Sequence, residues 1–264
     1  LPNDSPQGME KYLTDNLAID ITFDLVLKEE LLRAELISAP LTILILLFVF
    51  GTVVSASLPA LSGIYTVIAA VGIIHGLTYI VDDLTVYAVN IVSLLGIGLS
   101  VDYSLFIVNR FREELGRGHD KRTAIAMTSA TAGRAILFSG LTVVAGLTGM
   151  LFFENTGLPS LGWGGICATL VALTSSVILL PSILAILGDR INSGRVPLGL
   201  STEVADDGFW YDLAKRVMSK PLSFLVPSVL ILLVAGAPFL QAEWGITSWK
   251  ALSPDNEARS GMEL

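Results

Sequence analysis

The chain has 264 residues, 53% of them hydrophobic and only 15% charged, with a mean hydropathy of +0.71. Soluble domains carry about 25% charged residues. A water-soluble enzyme or binding module is therefore excluded, and an all-α integral membrane protein is expected. Its 16 basic residues are scattered and its net charge is −8, so nucleic acid is not expected as a partner.

In chain order, residues 28–40, KEELLRAELISAP, read as an amphipathic helix running into the first apolar run. Crossing a bilayer takes roughly 20 apolar residues. By that criterion six spans are predicted, at 39–57, 61–80, 86–108, 135–153, 160–187 and 222–241. Pro40, Pro59, Pro159, Pro181 and Pro221 punctuate their ends, and Pro181 is expected to bend the long fifth run. The predicted organisation is a five-span multi-helix bundle over 39–187, a connector over 188–221, and a sixth span over 222–241. Residues 1–38 read as the end of an external domain and 242–264 as the start of another, so a fragment of a longer chain is expected. A small six-span protein with polar ends is the plainer alternative. Cys167 lies alone in an apolar run and reads as a packing residue.

Charge sets the orientation. Arg110, Arg112, Arg117, Lys121, Arg122 and Arg134 follow the third span, and Arg190, Arg195, Lys215, Arg216 and Lys220 follow the fifth. The loops on the opposite side hold only Asp82 and Asp83, and Glu154. The positive-inside rule makes 109–134 and 188–221 cytoplasmic and both chain ends external. In the first cytoplasmic segment, Gly116 and Gly118 are placed to end the third helix. Asp120 is placed to cap the next helix, and Arg110 and Glu114 to pair four residues apart. In DGFWYDLAKRVMSKP (207–221), Phe209, Trp210, Leu213 and Val217 share a face suited to a helix lying in the interface.

The third run, VYAVNIVSLLGIGLSVDYSLFIV (86–108), holds Asp102 and Tyr103. An Asp near the centre of a membrane helix costs roughly 2.5 to 3.5 kcal/mol on insertion scales. Such an acid is either part of a proton or ion pathway or a packed, hydrogen-bonded structural group. Asn90, Leu94, Gly98 and Asp102 recur every four residues as one stripe. Gly96 and Gly98 are expected to let another helix approach closely, and that packing to shield Asp102 from lipid. Tyr103 points about 100° away around the helix, towards a different neighbour. His75 in the second span is either a partner or a packing histidine. Ser139 in the fourth either faces Asp102 or bonds back to its own helix.

The segment GIGLSVDYSLFIVNRFREELGRG (96–118) strongly resembles the Gly-x-Gly-x-x-x-Asp-Tyr…Arg-Phe-Arg-Glu-Glu signature of the MMPL transporters, a branch of the resistance–nodulation–division superfamily. TAGRAILFSGLTV (131–143), AELISAPLTILILLFVFG (34–51) and ALSPDNEARSG (251–261) match the family's pattern as well. The resemblance implies twelve spans in two pseudo-repeats, each with an external porter domain, of which this chain holds the end of the first porter domain, spans two to seven, and the start of the second porter domain. It assigns Asp102 and Tyr103 to the first-repeat half of a proton relay, sets Ser139 beside them, and places the matching pair in a second half of the same polypeptide. It implies a bacterial cell-membrane exporter of lipid or other hydrophobic molecules, driven by protons and needing no cofactor.

Other readings of the same features are a sterol-sensing-type lipid sensor, a secretion-accessory protein of the same superfamily, and an intramembrane aspartyl protease. The last needs two carboxylates sharing one site, and one deep Asp is present. No metal-ligand cluster or nucleotide-binding loop is found in the sequence, so neither metal nor ATP is implied.

Overall fold

The computed structural model describes residues 33–34, 36–81, 84–153, 157–196 and 209–241. The readings made for most of 1–35, for Asp82, Asp83 and Glu154, for 197–208 and for 242–264 lie outside them. The chain divides into two units, Glu35–Thr202 and, together, Leu1–Ala34 with Glu203–Leu264.

The first unit holds α1 (Leu36–Phe50), α2 (Val53–Leu77), α3 (Val86–Gly116), α4 (Lys121–Phe152) and α5 (Leu158–Asn192). The second holds α6 (Phe209–Ser219) and α7 (Pro221–Gln241). Five of these, α2, α3, α4, α5 and α7, are long and apolar enough to cross a membrane. Among the described residues there is no strand beyond an isolated bridge between Thr52 and Arg195. An all-α architecture follows from the solvent: in lipid every backbone N–H and C=O must be satisfied within the protein, and a helix does that by itself.

The first two spans differ from their predicted limits. α1 ends at Phe50 rather than 57, and α2 begins at Val53 rather than 61. Gly51 adopts φ +66, a conformation that stops the helix and that side-chain-bearing residues rarely take. The break is then held from outside. The Val53 N–H donates to the Gly194 carbonyl (3.0 Å), and the Val196 N–H donates to the Gly51 carbonyl (2.9 Å). Pro40 and Pro59 lie inside helices instead of marking their ends. Uniform apolarity across 39–80 hides such a break, because lipid-facing helices on either side of it have the same composition.

α3 runs past the apolar stretch to Gly116, and Gly118 at φ +86 closes it. The Asp120 carboxylate then caps α4, accepting from the Arg122 N–H at 3.2 Å. α4 contains a wide π-turn at Ser129–Gly133. α5 contains another at Ser175–Leu179, just before Pro181. Proline cannot donate to the preceding turn and its ring crowds that carbonyl, so an inserted residue relieves the helix there. A π-turn thus stands just before Pro181, where the sequence predicted a bend.

α3 is the centre of the unit and packs chiefly against α5 and α2. Its contact face is built from small residues. A Cβ at Gly164 of α5 would stand 2.4 Å from the Ala88 carbonyl oxygen, and one at Gly96 would stand 3.4 Å from Thr66 and 3.6 Å from Ala168. Small-residue faces let helix backbones close on one another where lipid removes the hydrophobic drive to associate. One buried cluster joins Leu46, Phe50, Ile107, Phe111, Leu184 and Ile191, and a second joins Ala70, Ala88, Val92 and Ala168.

Candidate functional site

α3 presents two opposite faces. Its packed face is Ala88, Val92, Gly96, Ser100, Ser104, Ile107 and Phe111. The predicted stripe of Asn90, Leu94, Gly98 and Asp102 turns the other way. Leu94, Gly98 and Asp102 are exposed among the described residues, and nothing lies within 4 Å of a Cβ placed on Gly98. Of the two glycines expected to admit a neighbouring helix, Gly96 does so and Gly98 does not. Asp102 is not shielded by packing within this unit. Both faces of α3 mix apolar with small or polar residues, so hydropathy cannot tell them apart. The fit of Ala88, Gly96 and Ser100 to α2 and α5 decides.

Tyr103, about 100° around the helix from Asp102, is buried at 6% exposure. Its hydroxyl is buried and has no hydrogen-bond partner among the protein groups. It lines a cavity of about 250 Å³ together with Phe106 of α3 and Ala132, Ala135, Ile136 and Ser139 of α4. The structure therefore brings Tyr103 and Ser139 to one cavity, which Asp102, exposed on the open face of α3, does not line. His75 is not part of this site. It lies thirteen residues beyond Ser62, which packs on Ser100, so it is roughly 20 Å further along α2 at 1.5 Å per residue. There it is exposed and meets the Tyr79 ring edge-on at 5.7 Å.

On the packed face of α3 is a hydroxyl network that the sequence reading missed. The Thr66 hydroxyl donates to Ser100 (3.0 Å), Ser100 pairs with Ser62 (2.8 Å), and Ser62 pairs with Ser175 in the α5 π-turn (2.9 Å). All four are buried, and they join α2, α3 and α5. Ser62 with Thr66 and Ser100 with Ser104 are pairs four apart in apolar runs, a visible signal of polar helix contacts.

Ion pairs gather at the far end of α3. Glu114 is fully buried, and its carboxylate meets Arg110, Arg117 (2.9 Å) and the His119 Nδ1 (2.8 Å). Arg110 also pairs with Glu113 at 2.9 Å. Arg112 turns to the α1–α2 break. It donates to the Phe50 carbonyl (2.9 Å) and to Asn192 Oδ1 (2.9 Å), and lies over the Phe50 ring. Among the described residues no three His, Cys, Asp or Glu side chains gather at a spacing that holds a metal.

A packed bundle of membrane-length apolar helices, with an acid and a phenol side by side on its central helix, defines a multi-span all-α membrane protein with a polar site within its apolar helices. The chain belongs to the MMPL family, whose sequence profile matches residues 3–224. It is 34% identical over 257 residues to the trehalose monomycolate exporter MmpL3 of Mycobacterium tuberculosis (strain H37Rv), covering 88% of this chain and 27% of that protein. It is 33% identical over 264 residues to the mycolic acid-containing lipids exporter MmpL11 of Mycolicibacterium smegmatis, covering 99% of this chain and 28% of that one. A putative membrane protein, SCO6666, of Streptomyces coelicolor is 34% identical over 232 residues, covering 88% and 32%. The chain thus spans about a quarter to a third of the length of these relatives.

Proposed function

We propose that this chain forms the first-repeat membrane domain of a proton-driven exporter of lipid or amphipathic molecules in a bacterial cell membrane. Asp102, Tyr103 and Ser139 form its half of the proton relay. The observation that carries the reading is the placement of Asp102 on the open face of α3, next to a buried Tyr103 hydroxyl that has no partner and shares a cavity with Ser139. An acid so placed in an apolar helix is costly unless a partner or water meets it, and a matching pair from a second repeat would meet it there. Family membership and the exporter relatives support lipid as the cargo. The basic segments 109–134 and 188–221 face the cytoplasm in this reading, and 1–38 and 242–264 lead into external porter domains.

Proton loading changes the charge on Asp102. That charge shifts which neighbours Asp102 and Tyr103 hydrogen-bond, and so biases helix packing. Such a switch moves cargo only if the two states bind the proton differently. The test is lipid efflux by the full-length protein in proteoliposomes under an imposed pH gradient. Gradient-dependent efflux that is lost in Asp102→Asn supports the relay. Efflux indifferent to both gradient and substitution overturns it.

A further inference from the structure

We infer that the outward face of α4 holds a phospholipid of the cytoplasmic leaflet, with its phosphate on Arg134 and an acyl chain along Phe138 and Leu141. The inference needs α4 to cross the membrane with its basic end cytoplasmic. It takes nothing from the relay or the cargo.

Depth places the cation. α4 runs from Lys121 to Phe152, and from Ala135 to Phe152 it carries no charged residue. That stretch is about 27 Å long at 1.5 Å per residue, close to the roughly 30 Å of a bilayer's hydrocarbon core. Arg134 therefore stands where the hydrocarbon ends and the lipid phosphates begin. Lys121 and Arg122 lie about 18 to 20 Å further along the helix, beyond the headgroups. Only 11% of the apolar stretch of α4 is buried in the protein, against 39% for each of α2, α3 and α5, so α4 is the span of this unit with the most surface left for lipid.

Arg134 is exposed, and its guanidinium meets no acid and no carbonyl oxygen among the described residues. The arginines of α3 are spent differently: Arg110 and Arg117 on Glu113 and Glu114, and Arg112 on Phe50 and Asn192. What Arg134 does meet is the Phe138 ring, one turn further into the membrane, at 5.8 Å from its centroid. Stacking uses the face of a guanidinium and leaves its N–H edges free. Two parallel N–H groups on such an edge match two phosphate oxygens. A cation left bare at this depth is costly unless water or an anion meets it.

The rest of the face has the polarity of a phospholipid along its length. Towards the cytoplasm, one turn from Arg134, are Ala130 and Thr131, both exposed. Ala130 leaves room for a headgroup. The Thr131 hydroxyl donates its proton to the Met127 carbonyl (2.7 Å), so its oxygen is left to accept from a headgroup hydroxyl or ammonium. Towards the membrane centre, Leu137, Phe138 and Leu141 present exposed hydrocarbon. Residues three, four and seven apart share one side of a helix, so headgroup shelf, cation and apolar strip form one continuous surface.

The test is photo-crosslinking of the full-length protein in bilayers that contain a phosphatidylglycerol with a diazirine in its acyl chain, read by mass spectrometry of the labelled peptides. Label is expected on the segment from Leu137 to Leu141. Arg134→Gln should lower it about fivefold, equivalent to roughly 1 kcal/mol for one basic group at an anionic surface. Arg134→Lys, which keeps the charge, should recover at least about half. Arg122→Gln removes the same charge from the same helix but more than a Debye length away, and should leave the label unchanged. Absence of label from 137–141 in the unsubstituted protein overturns the inference, because the second half of the polypeptide then covers this face. So do indifference to Arg134→Gln, an equal loss in Arg122→Gln, no recovery in Arg134→Lys, and displacement of the label by millimolar inorganic phosphate, which marks a site for free anions. Labelling does not require export. Normal export in Asp102→Asn would remove the relay and leave the lipid site standing, and the reverse pattern would do the opposite.

Discussion

Glu113 and Glu114 are adjacent acids that share Arg110 and Arg117 as partners, yet their surroundings give them different weight. The Glu114 side chain is 0% exposed and holds Arg110, Arg117 and His119, whereas that of Glu113 is 35% exposed. Removing one partner of a buried pair costs about 3 to 5 kcal/mol, and an exposed pair contributes at most about 1 kcal/mol. Glu114→Gln is therefore expected to destabilise the protein by about 3 kcal/mol, the lower end because Arg117 is half exposed. Glu113→Gln should cost less than about 1 kcal/mol. Thermal unfolding in detergent separates the two; equal losses would mean the burial of Glu114 has no energetic role. The Asp120 cap depends on pH. A hydrogen bond from the Thr123 hydroxyl holds its carboxyl below the ordinary carboxylate range, with the Arg122 N–H adding to the effect. Its cap is thus fully present above about pH 4 and lost only as the pH falls further. Amide exchange at Arg122 and Thr123 should be flat in its protection between pH 5 and 8. A loss of protection within that range would contradict the assignment.

Between helices, small residues and hydroxyls fix the geometry. A methyl added by Gly164→Ala would meet the Ala88 backbone, whose carbonyl oxygen and Cα lie 2.4 and 2.9 Å from the new Cβ. Backbone cannot swing aside as a side chain can. α3 and α5 must part, at a cost of about 1 to 3 kcal/mol. Gly98→Ala in this chain meets nothing, and should be neutral or stabilising by up to about 1 kcal/mol through helix propensity. Comparing the unfolding temperatures of the two variants checks the polarity of α3, and the opposite order would invert the packed and open faces. Ser100 tests the hydroxyl network. Ser100→Ala leaves both Ser62 and Thr66 short of a partner, with an expected loss of about 1 to 2 kcal/mol. These contacts were only partly legible beforehand. Polar pairs four apart are visible in the runs, but which runs meet, and at which turn, is a property of two helices at once.

At the scale of the molecule, Arg112 ties three parts of the first unit together: the end of α1 through the Phe50 carbonyl, α3 on which it sits, and the end of α5 through Asn192. The Gly51–Val53 break and the Gly194–Val196 segment are paired beside it. Arg112→Gln is expected to raise amide exchange at Val53 and Val196 about tenfold, equivalent to roughly 1.4 kcal/mol of local opening. Unchanged exchange there would mean the backbone pairs hold without the guanidinium. This fastening bears on transport in the proposed reading. There, Arg112 would carry any shift of α3 to the ends of α1 and α5, which it joins.

Composition, run lengths and residue spacing were enough to establish an all-α membrane protein, the centres of most of its helices, the cap at Asp120 and the pairing of Arg110 with Glu114, and a contiguous motif carried the resemblance to the MMPL family. Each of these follows from local chemistry: helix length from bilayer thickness, caps and four-apart pairs from helix geometry, and family from a contiguous motif. The outward face of Asp102, the meeting of Tyr103 with Ser139, the four-hydroxyl network, the full burial of Glu114 and the break at Gly51 needed the packed structure. In lipid, apolarity marks a helix as spanning without marking which side faces protein. That choice is made by the close fit of small side chains on neighbouring helices, and a fit between partners is written in neither one alone.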